Sequence, residues 1–141
     1  MLAPKKINYR KPHRSHLQNC ASSGRYVAFG DYGIQSIQPA WITSRQIESR
    51  RRILIRYVRR SGKLWIRIFP DIIVTRRPVE TRIGSGKGTL NYWVALICPG
   101  KILFEFCGIS KCIARQATNI VASKLRLKIR LINKWRKLTR Q

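Results

Sequence analysis

"TSRQIESRRRILIRYVRRSG", residues 43–62, holds a helix start, an amphipathic run and a helix stop in twenty positions. Thr43 followed three residues later by Gln46 makes a capping box, and Gly62 supplies a stop, so the spacing predicts a helix between them. At about 100° per residue, Ile47, Leu54 and Val58 gather on one side, while Arg45, Arg52, Arg56 and Arg59 gather on the other. One face suits a core. The other is an arginine ridge, continued by Arg60 and Lys63. A solvated face usually mixes both signs for i,i+4 support, yet Glu48 is the single acid in this stretch. The ridge therefore reads as a phosphate contact.

Working outward, the flanks are strand-like. "KLWIRIF" (63–69) alternates Leu64, Ile66 and Ile68 with Trp65, Arg67 and Phe69, the period of a half-buried strand. Pro70-Asp71 turns the chain, and "IIVTRR" (72–77) makes a further short strand before Pro78. "NYWVALI" (91–97) and "KILFEF" (101–106) are predicted to form a hairpin, joined through Cys98-Pro99-Gly100, whose Pro-Gly dipeptide marks a tight turn. A second helix over roughly 110–124 carries Ile113, Ala117, Ile120 and Val121 on one apolar face. "LRLKIRLI" (125–132) alternates strictly and reads as a final strand with a basic face. Upstream, "RYVAFGDYGIQSIQP" (25–39) reads as one bent or bulged strand pair, its apolar Val27, Phe29, Ile34 and Ile37 broken by Gly30 and Gly33. Strands and helices mixed without βαβ alternation predict an α+β class, two helices packed on a mainly antiparallel sheet.

The 141 residues suffice for one domain that buries roughly two thirds of the surface its unfolded chain would expose. Lys and Arg number 30 against 5 Asp and Glu, a formal charge of +25. Self-repulsion on that scale weakens a free compact monomer and enforces attraction to polyanions. Hydrophobic residues still make up 44%, so a folded domain, coated in positive charge, occupies 25–132. Residues 1–24, with few apolar groups, form a flexible basic arm carrying Lys5, Lys6, Arg10, Lys11 and Arg14, ordered by an anionic surface. A basic extension covers 133–141.

Other function classes find little support. "WVALIC" (93–98) and "KILFEF" fall far short of the ~20 residues of a spanning helix, and the N-terminus lacks the apolar core of a secretory signal. Cys20, Cys98, Cys107 and Cys112 form no C-x-x-C pair, and His13 and His16 lie in the arm, so the thiols read as reduced and no metal site is expected. In "ETRIGSGKGTLNYW" (80–93), three glycines and a lysine form the kind of loop that cradles phosphates. A Walker A loop fails at both ends: Thr81 stands five residues before Gly86, and Gly88 follows Lys87. A dinucleotide fingerprint fails as well, since Gly84, Gly86 and Gly88 lead into a strand rather than a helix. The acids, Asp31, Glu48, Asp71, Glu80 and Glu105, include no close pair. No catalytic role, cofactor or metal is expected. As an RNA-contacting loop the same residues make sense: alternate glycines let backbone N–H groups approach phosphate oxygens, and Arg76, Arg77, Arg82 and Lys87 supply charge. A loop of about a dozen residues, where two suffice for a turn, is usually functional.

"AWITSRQIE" (40–48), "GKLWIRIFPD" (62–71), "ETRIGSGKG" (80–88) and "YWVALICPGKILFE" (92–105), in this order and spacing, resemble the L-sixteen family of large-subunit ribosomal proteins, bacterial type, over nearly the whole chain. The resemblance implies an α+β fold against large-subunit ribosomal RNA, neighbouring large-subunit proteins as partners, no membrane and no homo-oligomer. It also implies that the arm and the ridge anchor RNA, while the loop from Arg82 to Leu90 faces tRNA near the aminoacyl site and the peptidyl transferase centre. "DIIVT" (71–75) and "SKCIA" (110–114) depart from the family's usual "DKPVT" and acidic helix start. Lys111, opposing the helix dipole there, suggests an anion nearby. Because the likeness begins at the first residues, and Ile, Lys and Arg are abundant, a plastid ribosome is the expected location, with a bacterial cytoplasm as the alternative. A free-standing RNA chaperone or basic nucleic-acid-binding module is the alternative function.

Overall fold

The computed structural model describes residues 2–9, 11–13, 20–58, 62–84, 86–125 and 127–134. At its centre runs the stretch "ILFEFC", which is β6 (Ile102–Cys107), buried along nearly its whole length. A strand covered on both faces needs no alternation, which is why these residues read as an apolar run. Along its two edges lie β1 (Tyr32–Ser36) and β3 (Lys63–Ile66), and β7 (Ile129–Asn133) completes a sheet ordered β3-β6-β1-β7. A second sheet, ordered β2-β5-β4, is built from β2 (Ala40–Thr43), β4 (Ile72–Arg76) and β5 (Thr89–Ile97). Every pairing in both sheets is antiparallel.

Helix α1 spans Ser44–Val58. The capping box closes as the sequence predicts: Thr43 N–H donates to Gln46 Oε1 at 3.0 Å, and Gln46 N–H donates to Thr43 Oγ1 at 3.2 Å. The helix buries Ile47, Leu54 and Val58 and packs on β2, β3, β5 and the second helix, α2 (Lys111–Leu125). On α2 the buried positions are Ala114, Ala117, Thr118, Val121 and Leu125. Two alanines without exposed surface let the helices approach closely. Phe104, Phe106, Leu103 and Ile34 complete the core between helices and sheet, each full burial contributing about 1.5–3 kcal/mol.

The α+β class with two helices stands, but several expectations change. The strands divide between two sheets rather than one. The residues 93–106 make no hairpin, because β5 pairs with β2 and β4 while β6 pairs with β1 and β3. Cys98-Pro99-Gly100-Lys101 is still a tight turn: Lys101 N–H donates to the Cys98 carbonyl at 3.2 Å, and Gly100 has φ +90°, the geometry of a type II turn. Ser36 at the end of β1 holds this turn, its carbonyl accepting Gly100 N–H at 2.8 Å and its N–H donating to Lys101 at 2.9 Å. A Pro-Gly turn reverses the chain without choosing the partner strand. Third, α2 is rotated from the expected face: Ile113 is exposed and Ala114 buried. Fourth, Leu125 ends α2 rather than starting the last strand. Upstream, the expected strand pair reduces to β1, whose register against β6 shifts between Ile34 and Gln35. The arm also makes core contacts, with Leu2 packed against the core and Ala21 buried.

Residues 28–30 are held by a single side chain. Glu105, fully buried in β6, accepts the N–H groups of Ala28, Phe29 and Gly30 at 3.2, 2.7 and 3.0 Å on one oxygen and pairs with Arg67 through the other. Gly30 is obligatory, because a Cβ there would lie 2.7 Å from the Phe106 carbonyl oxygen. Glu105→Gln removes the charge that Arg67 meets and turns a donor toward other donors, so it is expected to destabilise the fold by about 3–5 kcal/mol, read as a lower denaturation midpoint in urea.

Candidate nucleic-acid interface

Charge that faces water must be separated from charge the fold uses. Arg50, on the core side of α1, is 8% exposed. It donates to the Gln46 carbonyl at 3.3 Å and to the Lys124 carbonyl, satisfying an acceptor that the end of α2 leaves without a helical partner. Burial pushes its guanidinium pKa down. Arg67 belongs to Glu105, and Arg130 donates to buried Gln35 at 2.7 Å. These are structural arginines, and no periodicity marks Arg50 or Arg67 as such.

The ridge is real but partly neutralised. Arg45, Arg52 and Arg56 are exposed. Glu48 accepts from Arg51 at 2.6 and 2.8 Å and from Arg52 at 3.3 Å. The Arg51 hydrogen bond, helped by that of Arg52 and by both charges, holds the Glu48 carboxyl at about 2 against its ordinary 4.5, and the same bond raises Arg51. Arg45 and Arg56 have no ion pair among the described residues. Lys63 is exposed at the start of β3, and Lys5, Lys6 and Lys11 are exposed in the arm. Arg10, Arg14, Arg59, Arg60 and the extension from residue 135 lie outside the described residues.

The glycine loop closes a true hairpin between β4 and β5, whose last pair is Arg76 with Thr89. The described residues from 76 to 87 are all exposed. Each glycine works differently. Gly84 and Gly86 have φ +116° and +70° with open space around them, so they supply the backbone reversal. Gly88 supplies room, because a Cβ there would lie 2.5 Å from the Arg76 carbonyl carbon and oxygen. The cations differ too. Arg77 braces the loop, donating to the Gly86 carbonyl at 2.6 and 3.1 Å. Lys87 reaches the arm at the Pro12 carbonyl. Arg76 and Arg82 are exposed without an ion pair among the described residues. The structure thus brings loop and arm together, a contact that no local pattern announces.

Among the described residues no group of three His, Cys, Asp or Glu could hold a metal, the four cysteines are free, and no helix is long and apolar enough to cross a membrane.

Residues 4–132 match the family model described as ribosomal protein L16p/L10e. The chain is 55% identical over 132 residues to the large ribosomal subunit protein uL16c of Tetradesmus obliquus, covering 94% of this chain and 96% of the relative. Against the protein of that name from Porphyra purpurea the identity is also 55%, over 94% of this chain and 95% of the relative. Against that from Pleurastrum terricola it is 54%, over 95% and 96%.

Two outcomes are expected of the free protein. Gly88→Ala, which forces the hairpin base apart, costs about 1–3 kcal/mol, whereas Gly86→Ala, with open space and φ +70°, bears only the cost of the left-handed region, about 1–2 kcal/mol; urea denaturation ranks them. Because the Glu48 pKa is depressed, its contribution is fully present above about 4.5 and is lost as pH falls through about 2. Stability measured across that window falls more steeply for the natural protein than for Glu48→Gln.

Proposed function

Because the chain belongs to the ribosomal protein L16p/L10e family, we propose that it anchors large-subunit ribosomal RNA through its arm and arginine ridge and turns the β4–β5 loop toward tRNA. As a member of that family and a relative of large-subunit proteins at 55% identity, it is a structural, non-enzymatic constituent of the large ribosomal subunit. The relatives' names carry the chloroplast suffix, and the plastid ribosome is its location. Its partners there are ribosomal RNA and neighbouring ribosomal proteins.

The observation that carries the finer reading is the hairpin. It exposes Arg76 at its base and Arg82 in its loop, carries the single acid Glu80, and turns on two positive-φ glycines. Backbone N–H groups and cations without side-chain bulk suit close approach to phosphate. On α1 the same charge sits on a rigid helix in contact with the core, which suits a fixed RNA surface. We infer that the aminoacyl-tRNA region of the subunit is what the loop meets.

Binding to a large-subunit ribosomal RNA transcript is expected to weaken steeply with salt, log K falling against log salt with a slope set by the phosphates neutralised. Arg52→Glu with Arg56→Glu lowers that slope by about 2 and reduces incorporation into large subunits on sucrose gradients. Arg82→Ala leaves the core strands untouched and permits incorporation, while lowering tRNA affinity of the purified subunits about three- to tenfold, less than a shielded charge-assisted contact because the site is exposed. A helix variant that incorporates fully beside a loop variant that does not would reverse the assigned roles. A protein that never co-sediments with large subunits would favour a free RNA chaperone.

A further inference from the structure

Phe29 is 60% exposed, yet its backbone is held from inside the fold. Its backbone N–H donates at 2.7 Å to Glu105, between the N–H groups of Ala28 and Gly30. Removing a carboxylate from water is costly and is offset here by this row of donors and by Arg67. What the buried charge fixes, in return, is the position of residues 28–30. The one large side chain in that segment is Phe29.

A second ring and a cation also position it. Trp65 stacks on it with centroids 6.2 Å apart and planes 24° from parallel. The Arg67 guanidinium carbon lies 4.9 Å from its centroid, in cation–π range. A solvent-facing aromatic ring, backed by a second ring and a cation and locked through a buried carboxylate, is more order than a mere cover for Trp65 requires. Aromatic and guanidinium planes together form the surface on which unpaired bases stack.

We propose that Phe29, supported by Trp65 and Arg67, is a stacking platform for an unpaired nucleobase of the RNA that the protein binds. The proposal rests on the RNA-binding reading above and adds a base contact to its phosphate contacts. The positive charge of the chain, +25, favours a nucleic acid over a protein as the occupant. An apolar protein contact would also be served by an aliphatic side chain, and a base would not.

Phe29→Leu and Phe29→Trp are therefore titrated against a large-subunit ribosomal RNA transcript across a salt series. Phe29→Leu is expected to weaken binding about tenfold with the salt slope unchanged, since stacking releases no counterions. Phe29→Trp keeps the natural affinity. Leu binding as tightly as Phe overturns the platform alone, as does an equal loss with Leu and Trp. A natural protein without salt-dependent affinity overturns the RNA-binding reading and the platform with it. Independently of how the leucine variant folds, p-azidophenylalanine at position 29 is expected to photo-cross-link to RNA in assembled subunits; cross-links to protein alone overturn the proposal.

Discussion

A fully buried carboxylate at the centre of an apolar strand is the constraint around which the rest of the molecule is arranged. Glu105 sits in β6 between Phe104 and Phe106, where an unpaired charge could not be tolerated. Its donors come from two other places in the sequence, the segment before β1 and the residue just after β3. Satisfying it therefore ties three parts of the chain to one point. Gly30 follows from the same geometry, because the segment must run against the Phe106 backbone for its N–H groups to reach the carboxylate.

With so few acids, the two that form ion pairs among the described residues decide which cations are neutralised. Glu105 takes Arg67, and Glu48 takes Arg51 and shares Arg52. The carbonyl ends of helices and loops absorb others: Arg50 at Lys124, Arg77 at Gly86, Lys87 at Pro12. Self-repulsion among the exposed cations that remain among the described residues opposes the compact state. The fold is thus incomplete as an electrostatic object. The proposed RNA surface is what would complete it.

How much of this was legible depends on the range of the interaction that decides each feature. The start of α1 was legible to the residue, because a capping box is written in four consecutive positions and Thr43 and Gln46 bond each other directly. The α+β class followed from periodicity, whereas the closing of the glycine loop into a β4–β5 hairpin did not, because composition marks a loop without naming the strands it joins. The β5–β6 hairpin was misread because pairing is decided by what else a strand can reach: the buried β6 requires partners on both edges, and β1 and β3 supply them. Ile113 was misplaced for a related reason. On α2, close packing against α1 selects the small Ala114 for the interior, and hydrophobicity alone ranks isoleucine first. Arg50 and Glu105 were illegible because a buried charge is identified by a partner remote in sequence.

The contact between the loop and the arm bears on how binding would proceed. Lys87 donates to the Pro12 carbonyl and Arg77 to the Gly86 carbonyl, so two of the loop's cations already have acceptors in the free protein. A phosphate that engages either must replace a neutral carbonyl. The carbonyl bonds already have an ionised donor, but a phosphate adds the attraction of an opposite charge, so each exchange favours the anion. A phosphate drawing Lys87 away from the arm would free Pro12 and its flanking cations, Lys11 among them, for the same RNA. Arm and loop would then respond together to one ligand, although 75 residues separate the two ends of their contact. Among the described residues Arg76 and Arg82 have no such acceptor, which makes them the cations a ligand can engage first.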